Sequence, residues 1–366
     1  MIPTEPSNIL PIHRFYSRSL KNFRSLYVYL PPSYGSQPER DYPVLYMHDG
    51  QNIFDGRLSY SGDGWEIHRV ADELTALGLM EEILIVGISH QHEERLSEYA
   101  HVKGSYQNQP IPGRGELYET FLLEDVKPFI EANFRVRPGR DNTGLMGSSM
   151  GGLVTFQMGL RHPMVFGKLG ILSPSFWWNP NQTLRQIERL PKSKRPSRLW
   201  IDMGDSEGPL MEHFTIVMNR LWKKGIKPQD EMVCWLVPGA DHSERAWMNR
   251  VYCPLLYLFG NIGKPKQLVL DGSHQISLQG GSRKILLTAL YDTGFCHTPH
   301  PVRFNSSMKE VITISGDGLL HPLQPGETII TAEWKGLKVS SSYRVHDKRD
   351  PRREKRLSET RQHSMK

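Results

Sequence analysis

Short apolar runs alternate with amphipathic stretches through the first 260 or so residues of the chain. Residues 24–30 (Arg-Ser-Leu-Tyr-Val-Tyr-Leu) alternate as a strand does, and Pro31-Pro32-Ser33-Tyr34-Gly35 ends it. Residues 44–47, 83–88, 143–146, 169–172, 199–203 and 233–237 are nearly continuous apolar runs, the pattern of strands buried on both faces. Between them, residues 65–77, 118–133, 182–190 and 210–224 carry helical spacing; Phe121, Leu122, Val126, Phe129 and Ile130 fall on one side of the second. Buried strands alternating with helices predict an α/β fold, a mostly parallel sheet with helices on both faces, whose chemistry gathers at the carboxyl ends of its strands.

After Phe259 the pattern changes. Gly263-Lys264-Pro265-Lys266 reads as a linker, and short alternating stretches follow at 268–270, 274–278, 285–290, 311–314, 328–333 and 339–343. Closely spaced turns and the lack of a helix signal predict a small antiparallel β-sandwich. The expected organisation is an α/β domain over 1–262, a sandwich over 266–345 and a tail over 346–366.

The formal charge of +6 hints at nucleic acid, but its distribution removes the hint. Residues 346–366 hold eight Lys or Arg against four acids, so the tail accounts for +4 of it and the body is nearly neutral. With one leucine, one methionine and no aromatic residue, the tail is expected to be disordered, and no specific nucleic-acid binding is expected. Three cysteines, Cys234, Cys253 and Cys296, suggest neither a disulfide framework nor a thiolate metal site, and no metal or cofactor is expected. No apolar stretch is long enough to span a membrane, and residues 1–20 lack a signal-type apolar region, so a cytoplasmic location is expected, or a secreted one if the chain is a mature form.

The most specific chemistry lies at Gly147-Ser148-Ser149-Met150-Gly151-Gly152. A short buried strand leads in and helical spacing leads out, so Ser149 sits on a strand-to-helix turn flanked by glycines that let the two pass closely, a nucleophile elbow. A serine hydroxyl needs an imidazole to take its proton, and that imidazole needs a carboxylate. In this fold class the chain order is Ser, acid, His. His242 follows the last apolar run through Pro238-Gly239-Ala240-Asp241 and fits the base. The acid belongs just past residues 199–203, where Asp202, Asp205 and Glu207 all stand; Glu207 is favoured, because Asp202 is still in the strand and Asp205 beside Gly204 suits a turn. Asp241 reads as a turn residue. The oxyanion donors would be the amide of Met150 and that of Gln51, from the loop His48-Asp49-Gly50-Gln51-Asn52, with His48 and Asp49 structural.

With these residues in view, the first 260 positions resemble the esterase D family of α/β-hydrolases, which includes feruloyl and acetyl-xylan esterases, siderophore esterases, S-formylglutathione hydrolase and mycolyltransferases. The resemblance rests on residues 42–52 (Tyr-Pro-Val-Leu-Tyr-Met-His-Asp-Gly-Gln-Asn), 95–99 (Arg-Leu-Ser-Glu-Tyr), 147–152 and 173–178 (Ser-Pro-Ser-Phe-Trp-Trp). It implies Ser149 as nucleophile, Glu207 as acid, His242 as base and the Gln51 and Met150 amides as oxyanion hole. Gly204-Asp205-Ser206-Glu207 departs from the family by offering two acids where it usually shows one. Residues 268–345 resemble a bacterial immunoglobulin-like domain through 314–318 and 325–332.

Trp177, Trp178, Phe54 and Trp247, with Trp65, are candidate substrate-binding aromatics, suited to sugar rings or phenolic acyl groups. The polar stretch 103–113, without periodicity, is expected to be a loop covering the site. The expected function is a metal-independent serine esterase acting on short-chain or carbohydrate-linked acetyl or feruloyl esters. The rival readings are a siderophore trilactone esterase, an acyltransferase to a sugar, and a non-catalytic carbohydrate-binding protein with a relic elbow. Oligomeric state is not readable from the chain.

Overall fold

The computed structural model describes residues 8–347 except 57, 58, 60 and 61; most of the expected tail, 348–366, lies outside the described residues. The chain divides into two compact units, Met1–Gly263 and Lys264–Lys366.

The first unit is built on an eight-stranded sheet. Its strands are β1 (Asn8–Ser17), β2 (Asn22–Leu30), β3 (Val44–His48), β4 (Leu84–Ile88), β7 (Thr143–Ser148), β8 (Lys168–Leu172), β9 (Arg198–Gly204) and β10 (Met232–Val237); β5 (Gly104–Tyr106) and β6 (Gln109–Ile111) form a separate hairpin. The order is β1-β2-β4-β3-β7-β8-β9-β10. The pairs from β4 to β10 are parallel, and β2 and β1 are added antiparallel at one edge. β3, β4, β7, β8 and β10 are buried at every position, as their unbroken apolar runs require. Both faces are therefore covered.

The helices of this unit are α1 (Ile67–Ala76), α2 (Arg95–Glu98), α3 (Gly115–Thr120), α4 (Lys127–Asn133), α5 (Met150–Arg161), α6 (Pro180–Arg189), α7 (Leu210–Lys223), α8 (Glu244–Met248) and α9 (Tyr252–Phe259). A π-type segment, Phe121–Val126, joins α3 to α4 without a break. Among the elements that escaped the hydrophobic pattern, β1 and α9 have clear reasons. β1 is an edge strand with Pro11 in it and an irregular register between Ile12 and Phe15, so its alternation is broken where only an edge tolerates it. α9 is buried at all positions but its first, which erases the one-sided spacing that marks a surface helix. The stretch 103–113 holds the β5–β6 hairpin rather than a structureless loop.

The second unit is all β among its described residues, apart from one 3₁₀ turn, Leu278–Gly280. β11 (Pro265–Asp271), β14 (Leu286–Tyr291) and β15 (Cys296–His297) form one antiparallel sheet; β13 (Arg283–Lys284), β18 (Leu319–Pro322) and β17 (Ile312–Ile314) form another. In the third, β12 (Gln275–Ser277), β20 (Leu337–His346), β19 (Gly326–Trp334) and β16 (Arg303–Ser306) lie in that order. There β12 pairs parallel to β20, so the unit is not wholly antiparallel as expected. β13, β15, β16 and β18 are two to four residues long, too short to show an alternation. Among the described residues no helix is long and apolar enough to cross a membrane.

Candidate active site

Because β3, β7, β8, β9 and β10 run parallel, the loops at their carboxyl ends meet at one end of the sheet. Ser149 stands between β7 and α5 with φ 58° and ψ −122°, a conformation strained for any residue with a Cβ. The turn is held by Ser149 N–H donating to Leu172 O at 3.0 Å, and Leu153 N–H to Ser149 O at 3.0 Å. A Cβ on Gly147 would lie 2.8 Å from the backbone of Gly151, and one on Gly151 would lie 3.0 Å from Asp49 Oδ2. Gly147 is therefore demanded by the close passage of strand and helix, and Gly151 leaves room for the Asp49 carboxylate.

Ser149 Oγ lies 2.9 Å from His242 Nε2, and His242 Nδ1 lies 2.7 Å from Glu207 Oε2. With the Nδ1 proton directed at the carboxylate, Nε2 is free to accept from the serine. The Glu207 side chain is fully buried, whereas that of His242 is 31% exposed. Burial alone raises the Glu207 pKa, but the hydrogen bonds from His242, Ser173 and the Gly204 N–H outweigh it and hold the carboxyl below its ordinary value. The three residues come from the ends of three strands.

The other acids are engaged elsewhere. Asp205 is exposed and accepts from Gly239 N–H at 2.6 Å, a turn contact. Asp241 accepts from Ser243 Oγ at 2.5 Å. Asp202 is fully buried, accepts from Arg250 Nη2 at 2.9 Å and from Trp200 Nε1 at 2.7 Å, and burial outweighs Arg250 in raising its pKa.

Sequence reasoning missed what holds Glu207. Ser173, at the end of β8 with φ 42°, donates to Glu207 Oε1 at 2.5 Å and accepts from Arg250 Nη2 at 2.7 Å and Trp247 Nε1 at 2.9 Å. Gly204 N–H donates to the same Glu207 oxygen at 2.7 Å. Ser175 Oγ also lies 3.3 Å from Ser149 Oγ. The signal was present in the serines of residues 173–178, but nothing in a lone serine says which partner the fold will bring.

The loop after β3 lies beside the elbow. Asp49 has φ 57° and is gripped by Arg95 at 2.7 and 2.8 Å, which holds its carboxyl below the usual range against the cost of burial. His48 is buried, bonded to Tyr118 at 2.8 Å, and burial pushes its pKa down to about 3. Gly50 N–H donates to Ile88 O at 2.8 Å and Asn52 N–H to Asp49 O at 2.8 Å; among the described residues no such bond is found for the Gln51 N–H. Met150 opens α5, where N–H groups have no partner within the helix.

Three of the five aromatics expected to bind substrate, Phe54, Trp247 and Trp65, are interior residues. Phe54 is 5% exposed and packs edge-on against His68. Trp247 is also 5% exposed; its N–H serves Ser173 and its ring lies 5.0 Å from His242. Both fill space between loops that the sequence could not show meeting. Trp177 and Trp178 are partly exposed and lie beside the hairpin: Tyr106 is 6.2 Å from Trp177, and Trp178 Nε1 donates to Val102 O at 3.2 Å. Trp65 is buried against Trp247. Among the described residues no group of His, Cys, Asp or Glu could hold a metal ion.

A hydroxyl within hydrogen-bond reach of an imidazole that is bonded in turn to a buried carboxylate, at the strand ends of an α/β-hydrolase sheet, is the arrangement of serine hydrolases, the class that includes the carboxylic ester hydrolases. Over residues 17–252 the chain matches the family described as "Putative esterase", and it belongs to that family. It is 25% identical over 249 residues to the uncharacterized protein YbbA of Bacillus subtilis, covering 65% of this chain and 93% of that protein. It is 24% identical to the ferri-bacillibactin esterase BesA of the same organism (54% of this chain, 69% of BesA) and 27% identical to an endo-1,4-beta-xylanase/feruloyl esterase of Xylanibacter ruminicola (53% of this chain, 24% of that protein). Similar folds occur in the BES protein of Bacillus cereus (TM-score 0.56, 22% identity, 71% of this chain and 97% of that one) and a ferulic acid esterase of Anaeromyces mucronatus (TM-score 0.54, 22% identity, 70% and 92%).

Proposed function

We propose that the chain is a serine carboxylesterase acting on short-chain or carbohydrate-linked esters of the acetyl or feruloyl kind, and that Ser149, His242 and Glu207 are its catalytic triad. The reading rests on the 2.9 Å approach of Ser149 Oγ to His242 Nε2. His242 takes the Ser149 proton as the oxygen attacks the acyl carbon, and Glu207 stabilises the imidazolium. The oxyanion is met by the amides of Met150 and Gln51. Collapse returns the proton from His242 to the leaving alcohol and leaves Ser149 acylated; water, deprotonated by His242, then releases the acid. Trp177 and Trp178, under the β5–β6 hairpin, are the proposed substrate platform. The match to BesA keeps a siderophore trilactone substrate as a second reading.

Membership of the esterase D branch and an immunoglobulin-like identity for the second unit are proposals of the same kind, supported by residues 95–99 and by the all-β strands there. A panel of p-nitrophenyl acetate and butyrate, feruloyl methyl ester, acetylated xylo-oligosaccharide and a trilactone, run on the wild type and on Ser149→Ala, tests the function. Cleavage of the first four, lost in the variant, is expected. Turnover of the trilactone alone would favour the second reading, and an alanine variant as active as the parent would overturn both.

A further inference from the structure

Glu244 is a half-buried carboxylate that the mechanism above leaves unused. It is the first residue of α8, two positions after His242. One of its oxygens accepts from Asn52 Nδ2 at 2.9 Å, and the other accepts from Trp65 Nε1. These partners are 192 and 179 residues away in the chain. Asn52 directly follows Gln51, and its carbonyl takes the Trp65 N–H at 2.9 Å. The Trp65 ring packs on Trp247, which packs edge-on against His242.

The loop carrying Gln51 is anchored at its start by Arg95 on Asp49 and by Gly50 on Ile88 O. Its far end, at Asn52, meets α8 through Glu244. We propose that Glu244 is a positioning residue, whose carboxylate ties the loop that carries the oxyanion donor Gln51 to the loop that carries the base His242. The proposal rests on the triad and oxyanion reading above. Oxyanion donors help only when fixed where charge develops, so a tie between donor loop and base loop acts on kcat more than on substrate binding.

The tie is also responsive to pH. Both Glu244 oxygens face N–H donors, so the ionised form makes two bonds, whereas a protonated form turns one oxygen into a hydroxyl facing a donor. Burial, and then Asp49 of the same charge, push the Glu244 pKa up to about 7, against the pull of Trp65, Asn52 and Arg95. On its own helix Arg245 is turned to Asp63, and both His242 nitrogens are occupied by Ser149 and Glu207. The neutral amide of Glu244→Gln imitates the protonated, weaker tie.

The test compares the full-length wild type with Glu244→Gln and Glu244→Ala between pH 5.5 and 8.5. It reads kcat and KM for p-nitrophenyl acetate, and the rate at which a fluorophosphonate labels Ser149. At pH 8.5 Glu244→Gln should show kcat and labelling about tenfold below wild type with KM within about twofold, and the gap should close toward pH 5.5 as the wild-type carboxyl becomes neutral. Equal rates at pH 8.5, or a deficit that is the same at every pH, would overturn the proposal. If Glu244→Ala fails to fold, Glu244→Gln carries the test alone. A wild type that neither labels at Ser149 nor cleaves any ester would sink the catalytic reading itself, whereas normal labelling with a pH-independent deficit sinks only the role of Glu244.

Discussion

The Ser173 hydroxyl donates to Glu207 Oε1 at 2.5 Å while taking hydrogen bonds from Arg250 and Trp247. Its one proton and both lone pairs are therefore committed, and the carboxylate is held on the side away from His242. Ser173→Ala should strand buried donors on Arg250 and Trp247, lowering stability by about 1–3 kcal/mol. A Glu207 freed to shift should lower kcat by up to about a hundredfold with little change in KM. Urea melts and steady-state kinetics measure the two effects separately.

Glu207 and Asp205 are separable by substitution. Glu207→Gln removes the partner that fixes the His242 tautomer and should cost about 10⁴ in kcat, whereas Asp205→Asn should change it by no more than a few-fold. A large loss in Asp205→Asn would reverse the assignment.

The same Glu207 sets a pH dependence of stability. Its folded pKa lies below the ordinary 4.5, so the folded state binds this proton less readily than the unfolded chain. Its contribution is complete above pH 4.5 and is lost as pH falls through the lowered folded value. The stability gap between wild type and Glu207→Gln should therefore narrow on acidification; a gap that widened in acid would contradict the sign of the shift.

Strain at Ser149 predicts an ordering of two inactive variants. Alanine keeps a Cβ at φ 58° and ψ −122°, and glycine does not. Ser149→Gly should melt above Ser149→Ala by an amount equivalent to about 1–3 kcal/mol, with both losing nearly all activity. Differential scanning calorimetry decides it, and an alanine variant at least as stable would mean the elbow stores no strain.

The division at Gly263 predicts that a chain ending there keeps its structure and hydrolyses p-nitrophenyl acetate at the full-length rate. Circular dichroism and kcat on the shortened chain test this, with loss of folding as the contrary result.

How much of this was legible in the chain follows from the range of each signal. The elbow is local: a strand, a turn needing glycines and a helix lie within a dozen residues, so Ser149 is readable from its neighbours. The buried strands announce themselves because a parallel sheet covered on both faces must be apolar at successive positions. Glu207 and His242 were reachable by chain order, since each follows its strand. That Phe54, Trp65 and Trp247 are interior was not legible, because an aromatic residue near a site looks the same in the chain whether it lines a rim or fills the space between loops.

The amino-acid sequence by itself determined the layered α/β architecture, the position of the elbow serine Ser149 and the chain order of the acids and the histidine that follow it. Only the tertiary structure decided which acid reaches His242, and that Ser173, Arg250 and Trp247 hold that acid. It alone brought Glu244 to Asn52 across 192 residues. The physical reason is that hydrophobic periodicity and backbone strain are written over a few neighbouring residues, whereas a buried hydrogen bond belongs to whichever two strand ends the sheet order places side by side.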